Sequence, residues 1–276
     1  MMTTDRLPRT TRAIGAALLV ASLAGCATTG GSSAPNPADP YEGFNRSVYN
    51  FNEKVDRYAL KPAARAYRAV LPDPVQHCIS NAFGNVGDLW SAVNSLLQGK
   101  PGDTANTLTR VGINTLFGFG GCNDIASTLP GLQKRQEDVG QTLGVWGVGS
   151  GPYLVLPIFG PSSGRDAVGF VADRFGEPLA YLGDNTTYWA LSATRVLSLR
   201  AELLDSKDVL DNASFDPYAF TRDAYLQRRR SMVYDGNPPD DRPKYDDDDG
   251  FDPGPSGTPG GAPAPEPAPS TPPAAR

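Results

Sequence analysis

Two sets of residues in this chain have the types and spacing to do chemistry. The first is Cys26, which follows Leu23-Ala24-Gly25 at the end of an apolar run, Ala13 to Ala24, preceded by Arg6, Arg9 and Arg12. A basic n-region, a short apolar h-region and small residues at the cut describe a secretory signal rather than a membrane span. A cysteine at that cut is the acceptor in bacterial lipoprotein processing: its sulfur takes a diacylglycerol and the residue becomes the mature N-terminus. The bland alternative is a secreted protein with an incidental cysteine. Ala27 stands where an aspartate would suggest retention at the inner membrane, so sorting to the outer membrane is expected.

The second set is Gly160-Pro161-Ser162-Ser163-Gly164, which matches the G-x-S-x-G elbow of serine hydrolases. A serine nucleophile needs a base, and the usual order places it downstream. The single histidine, His77, lies far upstream inside an expected helix. Ser162 or Ser163 is better read as the N-cap of the helix that follows. One His and two further Cys do not make a zinc site. Neither Gly118-Phe119-Gly120-Gly121 nor Gly147-Val148-Gly149-Ser150-Gly151 continues as a phosphate loop. No catalytic residue, metal ligand set or cofactor is therefore assigned. Arg228-Arg229-Arg230 reads as a solvated cluster favourable to a helix C-terminus, with a secondary role against headgroups or an acidic partner.

Cys78 and Cys122 remain. Export places them in an oxidising compartment, where an even pair is most simply a disulfide; two buried thiols are the alternative. A Cys78–Cys122 bridge would staple the helix after Asp73 to a later loop.

The elements that must position these residues are well punctuated. Asp39-Pro40-Tyr41-Glu42 and Asp73-Pro74-Val75-Gln76 carry a capping acid, an N1 proline and a capping-box partner, and Asp216-Pro217 starts a third helix. Tyr41, Phe44, Val48, Phe51, Val55 and Tyr58 form one helical stripe, and Val75, Ile79, Phe83, Val86, Trp90, Val93 and Leu97 a second, stopped by Gly99. Further helices are expected at Asp103–Phe117, Ser163–Phe175, Tyr188–Leu204 and Pro217–Tyr234. Strand alternation is nearly absent, so the body reads as all-α.

Net charge is -5, but most of it sits in the segment after Tyr234. That tail holds the acidic run Asp246–Asp249 and a Pro-, Ala- and Gly-rich end with too little apolar surface to fold, so it is expected to be disordered. The near-neutral body has no basic face for nucleic acid. The chain divides into a signal peptide (1–25), a linker after the lipidated cysteine (26–38), a helical domain (39–234) and the tail (235–276). From Val139 to Gly164 there is no charged residue, yet prolines and glycines would break any helix there. Irregular backbone of that kind either lines a wet cavity at membrane depth or forms a buried core loop.

In this order, Asp39-Pro40-Tyr41-Glu42-Gly43-Phe44-Asn45-Arg46, Tyr49-Asn50-Phe51-Asn52, Asn94-Ser95-Leu96-Leu97-Gln98-Gly99, Arg110 with Asn114, Glu137 to Gly144, Gly147-Val148-Gly149, Gly151-Pro152-Tyr153, Leu156-Pro157, Arg165-Asp166 and Asp216-Pro217-Tyr218 resemble the MlaA (VacJ) outer-membrane lipoproteins. The likeness covers roughly residues 39–234 and excludes the tail; Cys78 and Cys122 lie outside its motifs. It implies a non-enzymatic, ring-like bundle of helices lying in the inner leaflet of the outer membrane around a central channel. Through that channel, mislocalised outer-leaflet phospholipid would pass to a periplasmic lipid carrier, and a trimeric outer-membrane porin would be a partner. On that basis the candidate channel lining is Gln141, Thr142, Gly147, Gly149, Ser150, Gly151, Tyr153, Leu154 and Leu156. The competing class is a structural envelope lipoprotein, a porin-associated scaffold whose uncharged segment is only core.

Overall fold

The computed structural model describes residues 36–181, 183–206 and 215–239. Cys26, the signal segment and the acidic and Pro-rich tail lie outside the described residues. In chain order the elements are α1 (Glu42–Val55), a π-helical turn (Asp56–Leu60), α2 (Lys61–Val70), α3 (Asp73–Leu97), α4 (Pro101–Leu116), a 3-10 turn (Ala126–Thr128) and α5 (Val139–Val145). A hairpin of β1 (Tyr153–Leu156) and β2 (Gly160–Ser163) follows, then α6 (Gly164–Gly176), a second 3-10 turn (Pro178–Tyr181), α7 (Asn185–Glu202) and α8 (Pro217–Val233). The fold is all-α apart from that hairpin, which the sequence reading lacked.

Two asparagines explain why the hairpin forms where it does. Asn45 donates to the Tyr153 carbonyl (3.0 Å) and accepts from the Val155 amide (2.9 Å). Asn52 donates to the Leu156 carbonyl (2.9 Å) and accepts from the Ile158 amide (2.7 Å). Seven helical residues rise about 10.5 Å, and three strand residues span about 10 Å. The side chains of α1 thus match the backbone repeat of β1 and serve as its missing neighbour strand. The other edge pairs antiparallel in the register Tyr153↔Ser163 and Leu156↔Gly160.

Helix ends follow the sequence with two corrections. Asp216 caps α8, accepting from the Tyr218 and Ala219 amides, and Ser163 caps α6, accepting from the Asp166 amide. Asp39, expected to cap the first helix, does not: α1 starts after Tyr41 with no side-chain cap. The Asp39 carboxylate is buried and instead accepts from Asn45 Nδ2 (2.8 Å), Tyr218 Oη (2.5 Å) and Arg222 (3.4 Å), tying α1 to α8. Asp73 is already the first residue of α3, and Gln76 folds back to donate to the Leu71 carbonyl (2.7 Å).

The larger correction concerns which helix faces point inward. On α3 the buried residues are Asn85, Asp88, Ser91, Ala92, Asn94 and Ser95, while Val75, Val93, Leu96 and Leu97 are exposed. On α4 Thr107, Arg110 and Asn114 are buried and Leu108 and Leu116 exposed. The helical period is as the sequence indicates, but the polar side faces in. Small apolar clusters remain, one of Val48, Tyr153, Val155 and Tyr218 and another of Ala64, Ala201 and Leu204. Phe117, Phe119 and Phe175 are 70%, 82% and 73% exposed. Among the described residues, no helix is long and apolar enough to cross a membrane.

Candidate functional site

A cavity of about 650 Å³ lies among α3, the segment 134–138, the hairpin turn, α6 and α7. Its lining includes the apolar side chains Phe83, Trp90, Phe159, Phe170, Val196 and Leu199. The Phe159 and Phe170 rings meet at a tilt of 54° with centres 4.7 Å apart. The lining also carries the charged residues Asp88, Lys134, Glu137, Asp138, Asp173, Arg174, Glu177, Arg195 and Glu202, with small polar residues such as Ser80, Ser91 and Ser192 between them. Such a wall suits an amphiphile, with tails against rings and aliphatic groups and a headgroup among the charges.

Most of these charges are held by groups from other elements. Asp173 accepts from Trp90 Nε1 (2.8 Å) and the Val139 amide (3.0 Å), joining α6 to α3 and α5, and its burial pushes its pKa up. Asp88 is buried 3.9 Å from Arg110 and 3.8 Å from Lys134; burial raises its pKa against the pull of both cations. Arg110 itself is buried, and its Nη2 donates to both oxygens of Asp124 (3.0 and 2.9 Å). Glu137 accepts from Gln98 (2.8 Å), and burial pushes it upward too. Glu177 joins Arg195 and, at 3.4 Å, Arg174, which also lies 4.6 Å above the Tyr188 ring.

Behind this wall sits a hub that the sequence reading took for a solvated cluster. Arg229 is nearly buried and forks onto Asp138 (2.6 and 2.9 Å) and again onto Asp166 (two contacts of 2.9 Å). Tyr225 Oη donates to Asp166 at 2.6 Å. Asp138 also caps α5 through the Gln141 amide (2.8 Å). Burial alone would raise both carboxyls, but Arg229 outweighs it and holds both below the ordinary aspartate range. The available signal was the spacing of Tyr225 and Arg229, one helical turn apart on one face.

None of the nine residues expected to line a channel lines this cavity. Gln141 and Thr142 are buried because their polar groups hold α5 in place. Gln141 donates to the Gln136 carbonyl, and Thr142 donates to Asn94 (2.9 Å). Tyr153 is packed in the core, whereas Leu154, Leu156 and Ser150 are half-buried. Gly147, Gly149 and Gly151 are exposed in the turn after α5, and a Cβ at Gly149 would meet open space. The uncharged segment contributes Phe159 to this cavity, and the rest of the lining comes mainly from α3, the segment 134–138, α6 and α7.

Cys78 and Cys122 are joined as a disulfide linking α3 to the loop after α4. His77 is exposed and does not line the cavity, and no cluster of His, Cys, Asp and Glu able to hold a metal occurs among the described residues. Ser162 and Ser163, the serines of the G-x-S-x-G match, are both buried.

The family model described as MlaA lipoprotein matches residues 37–232. The chain belongs to the MlaA family. It is 40% identical over 229 residues to the intermembrane phospholipid transport system lipoprotein MlaA of Escherichia coli (strain K12), covering 81% of this chain and 88% of that protein. The Haemophilus influenzae protein of the same name is 35% identical over 236 residues, covering 82% and 92%. A solved structure concerned with the maintenance of bacterial outer membrane lipid asymmetry superposes with a TM-score of 0.62 at 39% identity, covering 71% of this chain and 98% of that one. The family match spans every element that forms the cavity wall and the Arg229 hub.

Proposed function

We propose that this chain is a non-enzymatic lipoprotein of an intermembrane phospholipid transport system. It takes phospholipid misplaced in the outer leaflet of the outer membrane and passes it toward a periplasmic carrier, so maintaining lipid asymmetry. The observation that carries this reading is the cavity, whose lining mixes aromatic and aliphatic side chains with charged and small polar ones. In this reading Cys26 carries the lipid anchor. One lipid signal alone binds a membrane only marginally, so the exposed aromatic and aliphatic side chains complete the attachment to the inner leaflet. A trimeric porin is the expected membrane partner. A pure scaffold would need no such cavity.

The test uses two glycines. A Cβ added at Gly87, in the cavity wall, meets no atom within 4 Å, and the same is true at exposed Gly149. Gly87→Trp is therefore accommodated at its Cβ and is expected to add bulk to the cavity wall, whereas the Cβ of Gly149→Trp meets open space. In cells lacking the native protein, Gly87→Trp is expected to leave phospholipid in the outer leaflet and raise detergent sensitivity at normal protein level and location. Gly149→Trp is expected to complement. Full complementation by Gly87→Trp refutes the cavity as the lipid path, and the reverse pattern moves that path to the uncharged segment.

A further inference from the structure

Among the cations of the cavity wall, Lys134 has the longest carboxylate contact. Arg195 and Arg174 are both committed to Glu177, and Arg174 is also stacked on Tyr188. Lys134 Nζ has Asp88 Oδ1 as its carboxylate neighbour, but at 3.8 Å, beyond hydrogen-bond length. Asp88 is shared with Arg110 and lies in the same wall. The Lys134 side chain is one-third exposed, so its ammonium is reachable.

The position of that ammonium depends on a glycine. A Cβ built at Gly84 would lie 2.4 Å from Lys134 Nζ. Any larger residue there would push the ammonium away from α3. Gly84 lies well inside α3, where glycine costs helix stability of about 1 kcal/mol relative to alanine. Seating the Lys134 headgroup against the helix is the one contact within 4 Å that the missing side chain permits.

We propose that Lys134, seated by Gly84 and steered by Asp88, binds the phosphodiester of a glycerophospholipid headgroup in the cavity. An ammonium is a compact point charge with three donors, suited to a phosphate whose orientation varies as the lipid moves. The neighbouring apolar wall of Phe83, Trp90 and Phe170 takes the first segments of the acyl chains. This assignment rests on the reading of the cavity as the lipid path.

The experiment is lipid binding by detergent-solubilised full-length protein, read by native mass spectrometry. The probes are dioleoylphosphatidylethanolamine, dioleoylglycerol, which lacks the phosphate, and inorganic phosphate. Lys134→Gln is expected to weaken phosphatidylethanolamine binding about tenfold, the scale of one charge-assisted hydrogen bond, and to leave dioleoylglycerol unchanged. Lys134→Arg is expected to retain most of the affinity. Gly84→Ala, which favours the helix, is expected to mimic Lys134→Gln and to add nothing in the Lys134→Gln background. Unchanged phosphatidylethanolamine binding by Lys134→Gln, or an equal loss for both lipids, overturns the assignment while leaving the cavity reading intact. Competition by millimolar inorganic phosphate as effective as that by the lipid overturns the lipid as the source of the anion. Failure of the wild-type protein to bind either lipid overturns the cavity reading itself.

Discussion

Arg229 offers a quantitative test of how the helices are held together. It places Nε and both Nη atoms on two carboxylates, one capping α5 and one in the first turn of α6. Arg229→Gln leaves Asp138 and Asp166 without their counter-charge. Removing one partner of a buried pair costs about 3–5 kcal/mol. The Asp166 side chain is 7% exposed, but that of Asp138 is 34% exposed and partly screened by solvent. The expected loss is therefore at the lower end, about 3 kcal/mol. For a body of this size each kcal/mol lowers Tm by about 2–4 °C, so the melting point should fall by roughly 6–12 °C.

The pH dependence has a definite sign. Both carboxyls are held below their ordinary value in the folded protein. Their contribution is complete above the unfolded value near 4 and is lost as pH falls through the lower folded value. Without Arg229, burial is left to act on both carboxyls and raises them. The gap between wild type and variant is thus expected to be widest near neutral pH, to narrow as pH falls through the raised values of the variant, and to be smallest near pH 3. Circular dichroism melts in detergent across that range measure it. Arg229→Lys keeps the charge but not the two forks, so it should fall between the two. A Tm change within 1 °C at pH 7, or a gap that persists unchanged at pH 3, refutes the hub as an electrostatic clamp.

Three further outcomes follow from the geometry. A Cβ at Gly169 would lie 2.5 Å from the Gly140 amide nitrogen, so Gly169→Ala must separate α5 from α6 and should cost about 1–3 kcal/mol in unfolding measurements. Replacing Cys78 and Cys122 together by serine opens a closed loop with a sequence separation of 44. The chain-entropy relation puts that loss at about 4 kcal/mol, read as a lower denaturant midpoint under non-reducing conditions. Asn45→Ala removes one of the three donors to buried Asp39 and strands two backbone groups of β1, whereas Asn52→Ala affects a more exposed pair. Hydrogen exchange should therefore show the Val155 amide losing more protection in Asn45→Ala than the Ile158 amide loses in Asn52→Ala.

Much of the helical frame was legible because caps and stops act locally. Asp216 and Ser163 cap through their own side chains, and Gly99 ends α3 in the left-handed conformation, φ 74°, that its position suggested. The hairpin was illegible because each strand has four residues, and Gly160-Pro161-Ser162-Ser163 has little intrinsic strand preference. Its pairing is imposed by Asn45 and Asn52, more than a hundred residues upstream in contact order. Periodicity identified two faces on α3 but not which one points inward; that depends on the surroundings of the helix. The Arg229 hub was hidden because its partners, Asp138 and Asp166, are distant in sequence and sit at helix starts, where an acid is already explained by capping and the dipole. For the cavity, the uncharged stretch drew attention to Gly140–Gly164, while the charged wall came from residues that single-helix patterns treat as ordinary surface.

Under the proposed function, in which the helices lie in a lipid leaflet, the inverted burial and the cavity share one physical cause. A helix assembly surrounded by lipid gains little from burying apolar side chains, because the lipid is as apolar as they are. Cohesion must then come from close backbone approach and from hydrogen-bonded charges in a low dielectric. The Gly169–Gly140 contact, the Arg229 forks and the Arg110–Asp124 pair are interactions of those two kinds. They also leave the interior free of the need to be filled. The space is open to solvent on one side, and charged groups such as Asp88 and Lys134 keep it wettable. A phospholipid entering it exchanges water on the rings of Phe83, Trp90 and Phe170 for acyl chain, a favourable transfer, while its headgroup keeps polar partners throughout. In the proposed function, the wall that makes the cavity tolerable to the fold is therefore the same wall that receives the amphiphile.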